Sequence, residues 1–381
     1  MDMSIRKLAS IQRILSIDPI AGADAIEVAT VNGWKVVIAK KDNFKVGDLV
    51  IYCEVDSWIP HLLAPFLSKG QEPREYEGIK GERLRTVKLR GQISQGLILP
   101  LHVVWSGAHI NESYIGDPPW DYQGDWEKDD HTLNEVNIRV NGEWTYGTIE
   151  GLDVSERLGI VKYEPPVSAQ LAGISLGAFP SQVPKTDEER IQNLTNEWND
   201  LIAARWELTE KLEGSSMTVG RINGEFIVCS RNLNLRETEG NTLWALARRH
   251  GIEAKMIRAE LDNFVMQGEL IGEGIQGNHY GIKGQEFYVF SMYDIEAGEY
   301  VSRKHREMIV ESMGLPHVPV IAFTANLTDT LGIKTVADVL KFADGKSSLN
   351  PKVLREGVVF KEIDGQRHFK AVSNEYLLKH G

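Results

Sequence analysis

Lys211 sits in the run TEKLEGSS, Thr209 to Ser216, two residues before Glu213 and three before Gly214. A Lys-x-Glu-Gly of this kind can be surface punctuation. It is also what a lysine presented to a phosphate needs, because glycine clears space beside it. At its ordinary pKa of about 10.4 a lysine amine is a poor nucleophile. Nearby cations or partial desolvation would have to lower that value and free the lone pair. Attack on phosphorus further requires cations for the phosphate oxygens, carboxylates for a metal and an aromatic face for a base.

The chain carries candidates for each role downstream of Lys211. SRN ends a hairpin and offers Arg231; QGEL sets Glu269 in a strand; FYVF alternates aromatics and offers Phe290. In REGVVFK, strand alternation puts Glu356, Val358 and Phe360 on one face and Lys361 on the other. In HFKAVS it puts His368, Lys370 and Val372 on one face. A turn at Asp364-Gly365 makes the two strands antiparallel and brings Glu356 and Lys370 into one sheet. Taken singly, each residue has a plainer reading: Arg231 as a solvated hairpin residue, Glu269 as a strand-edge charge, Phe290 as core, Glu356 and Lys370 as a cross-strand pair. Taken in order on suitable strands, they form a constellation.

The elements that must position them follow from patterning. Residues 1 to about 100 read as all-β, with a hairpin at Asn32-Gly33 and further strands at DLVIYCE and LRTVKLRGQISQGLILP. About five short strands in that span suggest a small barrel. From Val161 to Lys185, prolines 165, 166, 180 and 184 imply an extended linker. Thr186 and Glu189 then form a capping box, and Ile191, Leu194, Trp198, Leu201 and Ile202 share one face of a helix running to about Arg205. That helix leads into a strand around Glu207 to Thr209, just ahead of Lys211. SMTVGRINGEFIVCSRN reads as a hairpin turning at Asn223-Gly224. Helices are expected over Thr242–His250, Ile257–Phe264, Ser302–Met313 and Thr335–Phe342.

The series KLEG, SRN, GEL, FYVF, EGVVFK and HFKAVS resembles the motifs of the covalent nucleotidyltransferases, which comprise ATP-dependent ligases and capping guanylyltransferases. KYEPPV and FPSQVPKTDEERIQN, with a barrel ahead of them, resemble more narrowly the RNA ligases that carry an N-terminal OB domain and seal RNA 3′-OH nicks. The resemblance implies an α+β chain. Residues 1–104 would be an OB-like, nucleic-acid-binding barrel, 105–160 its acidic insert or extension, and 161–381 a nucleotidyltransferase domain of antiparallel sheets with flanking helices. It implies ATP and Mg²⁺ or Mn²⁺, and Lys211 taking AMP as a phosphoramidate. Glu210 would help read the adenine and Phe290 would stack on it. Glu269 and Arg231 would address ribose and phosphate, with Glu213 and Gly214 completing the lysine motif. Glu356 would orient the lysine or a metal's hydration shell, and Lys361 and Lys370 would contact phosphate. Arg190 and Gln192, on the capped helix, would lie near the nucleotide or the nick. His368 departs from the pattern, since related ligases often carry a second lysine there.

IDPIAGADAIEVATVNGW resembles the tRNA-binding type of OB fold. Trp34 or Tyr52 could then stack bases, and the basic stretch Arg83–Arg90 could follow a phosphate backbone. The alternative is that both rings are barrel core and the cations a solvated face.

Composition narrows the rest. The chain has 381 residues, 42% hydrophobic and 25% charged, enough for two or three globular domains. Two cysteines, Cys53 and Cys229, exclude a disulfide scaffold and a Cys-rich zinc site. No 18-residue apolar run and no signal-peptide core are found, so no membrane span is expected, and the low cysteine count fits a cytoplasmic setting. The resemblance implies a nicked duplex with an RNA 3′-OH strand as partner, and a monomer is expected. The formal charge of −12 argues against nucleic acid only if it is uniform. Glu112–Glu135 holds eight acidic residues and one lysine. Across the wider acidic stretch 105–150, Trp105, Trp120 and Trp126 read as loop-gluing or base-stacking aromatics. Two rivals remain: a GTP-using capping guanylyltransferase, and a non-catalytic OB-fold nucleic-acid-binding protein. The capping enzymes carry an OB domain after the last motif, whereas only 11 residues follow Lys370 here (381 − 370).

Overall fold

Alternating apolar residues in Ala9–Pro19 (β1), Ile26–Val31 (β2) and Trp34–Ala39 (β3) build an antiparallel meander, with Asn32 at φ 50° turning β2 into β3. A register shift between Ile14 and Ser16 bends β1, so that its first half pairs with Leu49–Cys53 (β4) and its second half with β2. Such a bulge lets one strand serve two directions of a curling sheet. Ser57–Pro60 (β5), Arg74–Tyr76 (β6) and Ile79–Arg83 (β7) follow, then the hairpin Val87–Leu89 (β8) and Gln92–Ser94 (β9), then Leu97–Pro100 (β10). Sheet order is β10-β4-β1-β2-β3 beside a second sheet of β5, β6 and β7. Ile11, Ile51, Ile59 and Leu99 fill one core, and Ile14, Trp34, Val36 and Tyr52 another. This is the expected OB barrel.

In this computed structural model the described residues are 6–104, 120–121, 135–140, 143–164 and 173–380, and the chain divides into two units, Met1–Pro165 and Pro166–His380. Trp120–Asp121 (β11), Glu135–Val140 (β12) and Glu143–Thr148 (β13) form a small sheet in the acidic segment. The side chains of Trp105, Trp120 and Trp126 lie outside what is described. Ile149, Val154, Leu158 and Ile160 return to the barrel core. Val161–Lys162 (β14), expected as the start of the linker, is instead a barrel strand, because it pairs with Trp58 and Ser57.

Two sheets make the second unit. One runs β15-β20-β19-β18-β21-β22-β23, from Ser175–Ala178 (β15) through Ser215–Ile222 (β18), Glu225–Cys229 (β19), Leu233–Leu235 (β20), Phe264–Gly272 (β21) and Gln285–Asp294 (β22) to Glu299–Tyr300 (β23). The other runs β16-β26-β25-β17-β24: Glu189–Arg190 (β16), Trp206–Lys211 (β17), Val320–Thr324 (β24), Gly357–Glu362 (β25) and His368–Val372 (β26). Asn223 and Gly224, at φ 51° and 82°, turn β18 into β19 as expected. Helices Trp198–Ala203 (α1), Thr242–Arg249 (α2), Ile252–Arg258 (α3), Arg303–Ser312 (α4), Leu327–Leu331 (α5), Val336–Ala343 (α6) and Asn374–His380 (α7) flank the sheets. Residues of α2, α3 and α4 share a core with β18, β21 and β22, and residues of α1 and α6 share one with β17, β25 and β26.

Two helix expectations fail. Thr186–Arg205 is not one helix. Glu189–Arg190 is drawn out as a strand parallel to Phe369–Lys370, two single 3₁₀ turns follow, and only Trp198–Ala203 is α-helical. The Glu189 carboxylate accepts from the Arg190 amide at 2.7 Å and the Asn193 amide at 2.9 Å rather than closing a capping box. Tertiary pairing thus overrides a weak local preference. The helix expected at Ile257–Phe264 lies earlier, at Ile252–Arg258, because Phe264 opens the long central strand β21.

Candidate active site

β17 delivers Lys211 at its last position, where it pairs with Gly357 across the ladder to β25. Glu356 therefore falls one residue beyond, and its Oε1 lies 2.5 Å from Lys211 Nζ. The chain then turns through Leu212–Gly214 into β18, whose Ser216 pairs with Glu269 on β21. Gly214 is required by this approach rather than by its backbone angles. A Cβ there would meet the Leu270 carbonyl at 2.4 Å and Glu269 Cγ at 2.9 Å. The glycine of the lysine motif is what lets the turn press against the strand that carries Glu269.

The electrostatics correct one expectation. Burial pulls the Lys211 ammonium down, but Glu356 and Glu269, with Glu188 as a weaker contributor, outweigh it and hold the group above the usual lysine range. The surroundings of Lys211 are richer in carboxylates than in cations, so the resting side chain is an ammonium. Burial pushes the Glu269 carboxyl up to about 8; Lys211 opposes this and the like charge of Glu356 adds to it. The cluster has an excess of carboxylate for one ammonium. Among the described residues, no group of three or more His, Cys, Asp or Glu side chains forms a metal cage.

The β25–β26 hairpin brings Glu356 and Lys370 into one sheet as expected, with Val359 opposite Lys370. Lys370 Nζ donates to Asp187 Oδ1 at 2.7 Å, and Arg231 reaches the same carboxylate at 3.5 Å. Burial lowers the Lys370 pKa; Asp187 opposes this, and Arg190 and Lys211 reinforce it. Arg190 is buried on β16 beside Lys370, and Gln192 is buried in the 3₁₀ turn that follows, not on a helix. Lys361 lies on the same face of the sheet as Lys370, two residues along β25 from the Val359 that opposes Lys370. Its Nζ donates to the Phe290 carbonyl and to Ser291 Oγ at 2.9 Å, and lies 5.2 Å from the Phe290 ring centre. Burial, helped by Arg306, lowers Lys361 to about 7. His368, opposite Lys361, is partly buried, and desolvation pushes it down to about 3; its ring lies 4.6 Å from Tyr300.

Glu210 is buried. Its Oε2 accepts from the Ser348 amide at 2.7 Å, while Oε1 is buried with no hydrogen-bond partner among the described residues. A buried unpaired acceptor is costly and marks a place where a donor group fits. Glu213 lies 3.4 Å from His279 Nδ1, and its amide is 2.6 Å from the Tyr280 hydroxyl. His279 Nε2 in turn reaches the Leu354 carbonyl at 2.8 Å, two residues before Glu356. Sequence reading missed Asp187, Glu188, His279, Tyr280 and the buried Arg306–Glu207 pair. Asp187 and Glu188 lie in TDEERIQN, between the Thr186 and Glu189 read as a capping box, and were given no role; His279 comes from a loop with no periodic signal.

In the barrel the base-stacking reading of Trp34 and Tyr52 fails. Both are fully buried, 5.9 Å apart, and serve as core, because strand alternation turns them inward. Arg83 is tied to Asp56 at 2.6 Å.

An OB barrel and a two-sheet domain with a partly buried lysine among carboxylates are the parts of a nucleotidyltransferase that works on nucleic acid. Comparison with known proteins agrees. A model for an OB-fold domain matches residues 8–101, and the RNA ligase model matches residues 204–372. No curated protein sequence matches. Among solved structures, a variant of Naegleria gruberi RNA ligase with AMP and Mn is 39% identical with a TM-score of 0.80, covering 98% of this chain and 99% of its own. A second variant, with ATP and Mn, is 40% identical at the same TM-score and the same coverage. Naegleria gruberi RNA ligase with PPi is 40% identical with a TM-score of 0.79, covering 99% of both chains. The chain belongs to the RNA ligase family, so its substrate is nucleic acid. Among the described residues no helix is long and apolar enough to cross a membrane.

Proposed function

We propose that this RNA ligase uses ATP and joins RNA ends through Lys211. The neutral Lys211 amine attacks the α-phosphorus; the P–N bond forms as the bond to the β-phosphate oxygen breaks, and pyrophosphate leaves. The AMP group then passes to a 5′-phosphate oxygen, the P–N bond breaks, and the lysine is reprotonated. Finally an RNA 3′-OH attacks the activated 5′-phosphorus, its proton is lost to solvent, and AMP departs. Glu210 Oε1 is suited to accept from the adenine amino group, and Phe290 to stack on the base. Glu269 and Arg231 serve the ribose and phosphate side, and Lys370, Arg190 and Lys361 supply positive charge. Glu213 and Gly214 hold the lysine turn in place.

Glu356 and Glu269 suit the hydration shell of Mg²⁺ or Mn²⁺, which binds by few carboxylates and keeps its waters, in line with the excess of carboxylate and the lack of a cage among the described residues. Such an ion offsets charge on the phosphate oxygens. Before attack, Glu356 holds the Lys211 ammonium in position; drawing the carboxylates toward another cation would release the lysine proton. The barrel would hold a nicked duplex with an RNA 3′-OH strand. The enzyme would work as a cytoplasmic monomer.

The observation that carries this reading is the Lys211 amine held 2.5 Å from Glu356 beside Glu269. Its test is incubation with α-labelled ATP or GTP and either metal, followed by denaturing electrophoresis. Label from ATP that survives denaturation, and is absent from Lys211→Ala, is expected. Label from GTP alone would move the assignment to a capping guanylyltransferase. No label with RNA binding retained would leave a binding module. Sealing of nicked duplexes with RNA or DNA on each side of the nick then defines the substrate.

A further inference from the structure

The β8–β9 hairpin stands apart from the rest of the barrel in what its side chains touch. Arg90 and Gly91, at φ 49° and 86°, close it in a two-residue turn, and Val87 through Gly91 are all exposed. Its base is held firmly: Ser94 Oγ accepts from the Val37 amide at 2.9 Å, and the Gln95 amide donates to the Lys35 carbonyl at 2.8 Å. Arg85, Lys88 and Arg90 make no hydrogen bond or ion pair among the described residues. Neighbouring cations of the same unit are neutralised: Arg83 by Asp56, Arg74 by Glu82 and Lys80 by Glu72. No acidic residue occurs between Glu82 and Glu112, in a chain of net charge −12. Val87 and Leu89 leave 42% and 43% of their surface open between these cations.

A solvated surface of an acidic protein usually mixes its charges. Three unpaired cations and two open aliphatic side chains on one rigid two-stranded ribbon are a footprint for a polyanion with some apolar surface. We propose that the β8–β9 ribbon grips the backbone of a nucleic-acid duplex. Arg85, Lys88 and Arg90 lie on phosphates, and Val87 and Leu89 lie against sugars at the groove edge. The minor groove of an A-form duplex is wide and shallow, so a ribbon laid at its edge can reach phosphates and sugars, and contacts of this kind fix position without reading sequence. The inference deepens the proposed function and rests on its duplex substrate.

The test compares wild type, R85A/K88A/R90A and a charge-matched control, K40A/K41A/K45A, whose three lysines are exposed elsewhere on the barrel. Binding to a nicked RNA duplex is measured against salt, and labelling of Lys211 from ATP, which needs no nucleic acid, is read in parallel. Losing three phosphate contacts should lower the slope of log K against log salt by about 2 to 3 and weaken binding by about tenfold or more near 0.1 M salt. The control should move the slope by less than about 1. An equal fall in the control would make the effect one of net charge and overturn the proposal. So would an unchanged slope in the hairpin variant, or loss of labelling along with binding. Failure of the proposed chemistry would show separately, as absence of label in wild type.

Discussion

Among the described residues the N-terminal unit buries one charged side chain, Glu54, while the C-terminal unit buries Arg190, Glu207, Glu210, Arg306, Lys361 and Lys370. The barrel gains its stability from aliphatic and aromatic packing and leaves its cations at the surface. The two-sheet unit carries charge into low dielectric, where desolvation opposes it. Such an arrangement is stable only where partners are supplied, and it is where pKa values move far from their usual ranges. The contrast separates a unit whose interior is almost wholly apolar from one whose interior holds several charged side chains.

Breaking the contrast most directly means removing one buried charge. Arg306 donates to both Glu207 oxygens at 2.8 and 2.6 Å, and its Nε reaches His317 Nε2 at 3.0 Å. His317 is held neutral, pushed down to about 4 by burial and then by Arg306, which suits the ring to accept that bond. Arg306→Ala strands the Glu207 carboxylate in the interior and should cost about 3–5 kcal/mol in denaturant unfolding. The paired replacement R306M/E207L should recover most of that loss. A loss below about 1 kcal/mol for the single variant would mean that water reaches this interior, and the contrast would fail.

Lys361 sharpens the same point through pH. Its folded pKa of about 7 lies below the ordinary lysine value of 10.5. Between those two values the unfolded chain binds a proton that the folded chain does not, so stability rises with pH across the window. The contribution is complete above the unfolded value and is lost as pH falls to about 7. The slope from this one group is at most about 1.4 kcal/mol per pH unit. Lys361→Met removes it, so the stability of wild type relative to the variant should climb between pH 7 and pH 9. A flat difference would show that Lys361 stays protonated and that its surroundings are wetter than its burial suggests.

These buried groups also mark what the sequence could and could not tell. Strand alternation and the Asn223-Gly224 turn were legible, and so was the pairing that joins Glu356 to Lys370, because each depends on short-range pattern. A strand just ahead of Lys211 was legible as well, but it runs on through Lys211, whose pairing with Gly357 no local signal gave. The direction of its pKa was not legible, because Glu269 and Glu356 reach it from strands distant in sequence. The expected helix before β17 failed for a similar reason: the competing partner of Glu189 and Arg190 is β26, about 180 residues on, and no local rule weighs it. Trp34 and Tyr52 had the residue types of a base platform. Only the curl of the barrel decided that they face inward.

The smallest expected effect tests whether distance or burial sets the strength of an ion pair. Arg205 and Asp364 are joined by two contacts of 2.5 Å, at least as short as those of Arg306 and Glu207, yet both side chains are more than half exposed. Water at such a site screens the attraction and solvates either partner when the other is removed. Arg205→Ala should therefore leave the denaturation midpoint unchanged within error and insensitive to added salt, under conditions where Arg306→Ala lowers it clearly. If both variants lose stability alike, contact distance rather than burial governs these pairs, and burying the charges of this unit carries no energetic meaning. If only Arg306→Ala does, desolvation is what distinguishes the unit that holds Lys211, and the short surface contact is geometry without consequence for folding.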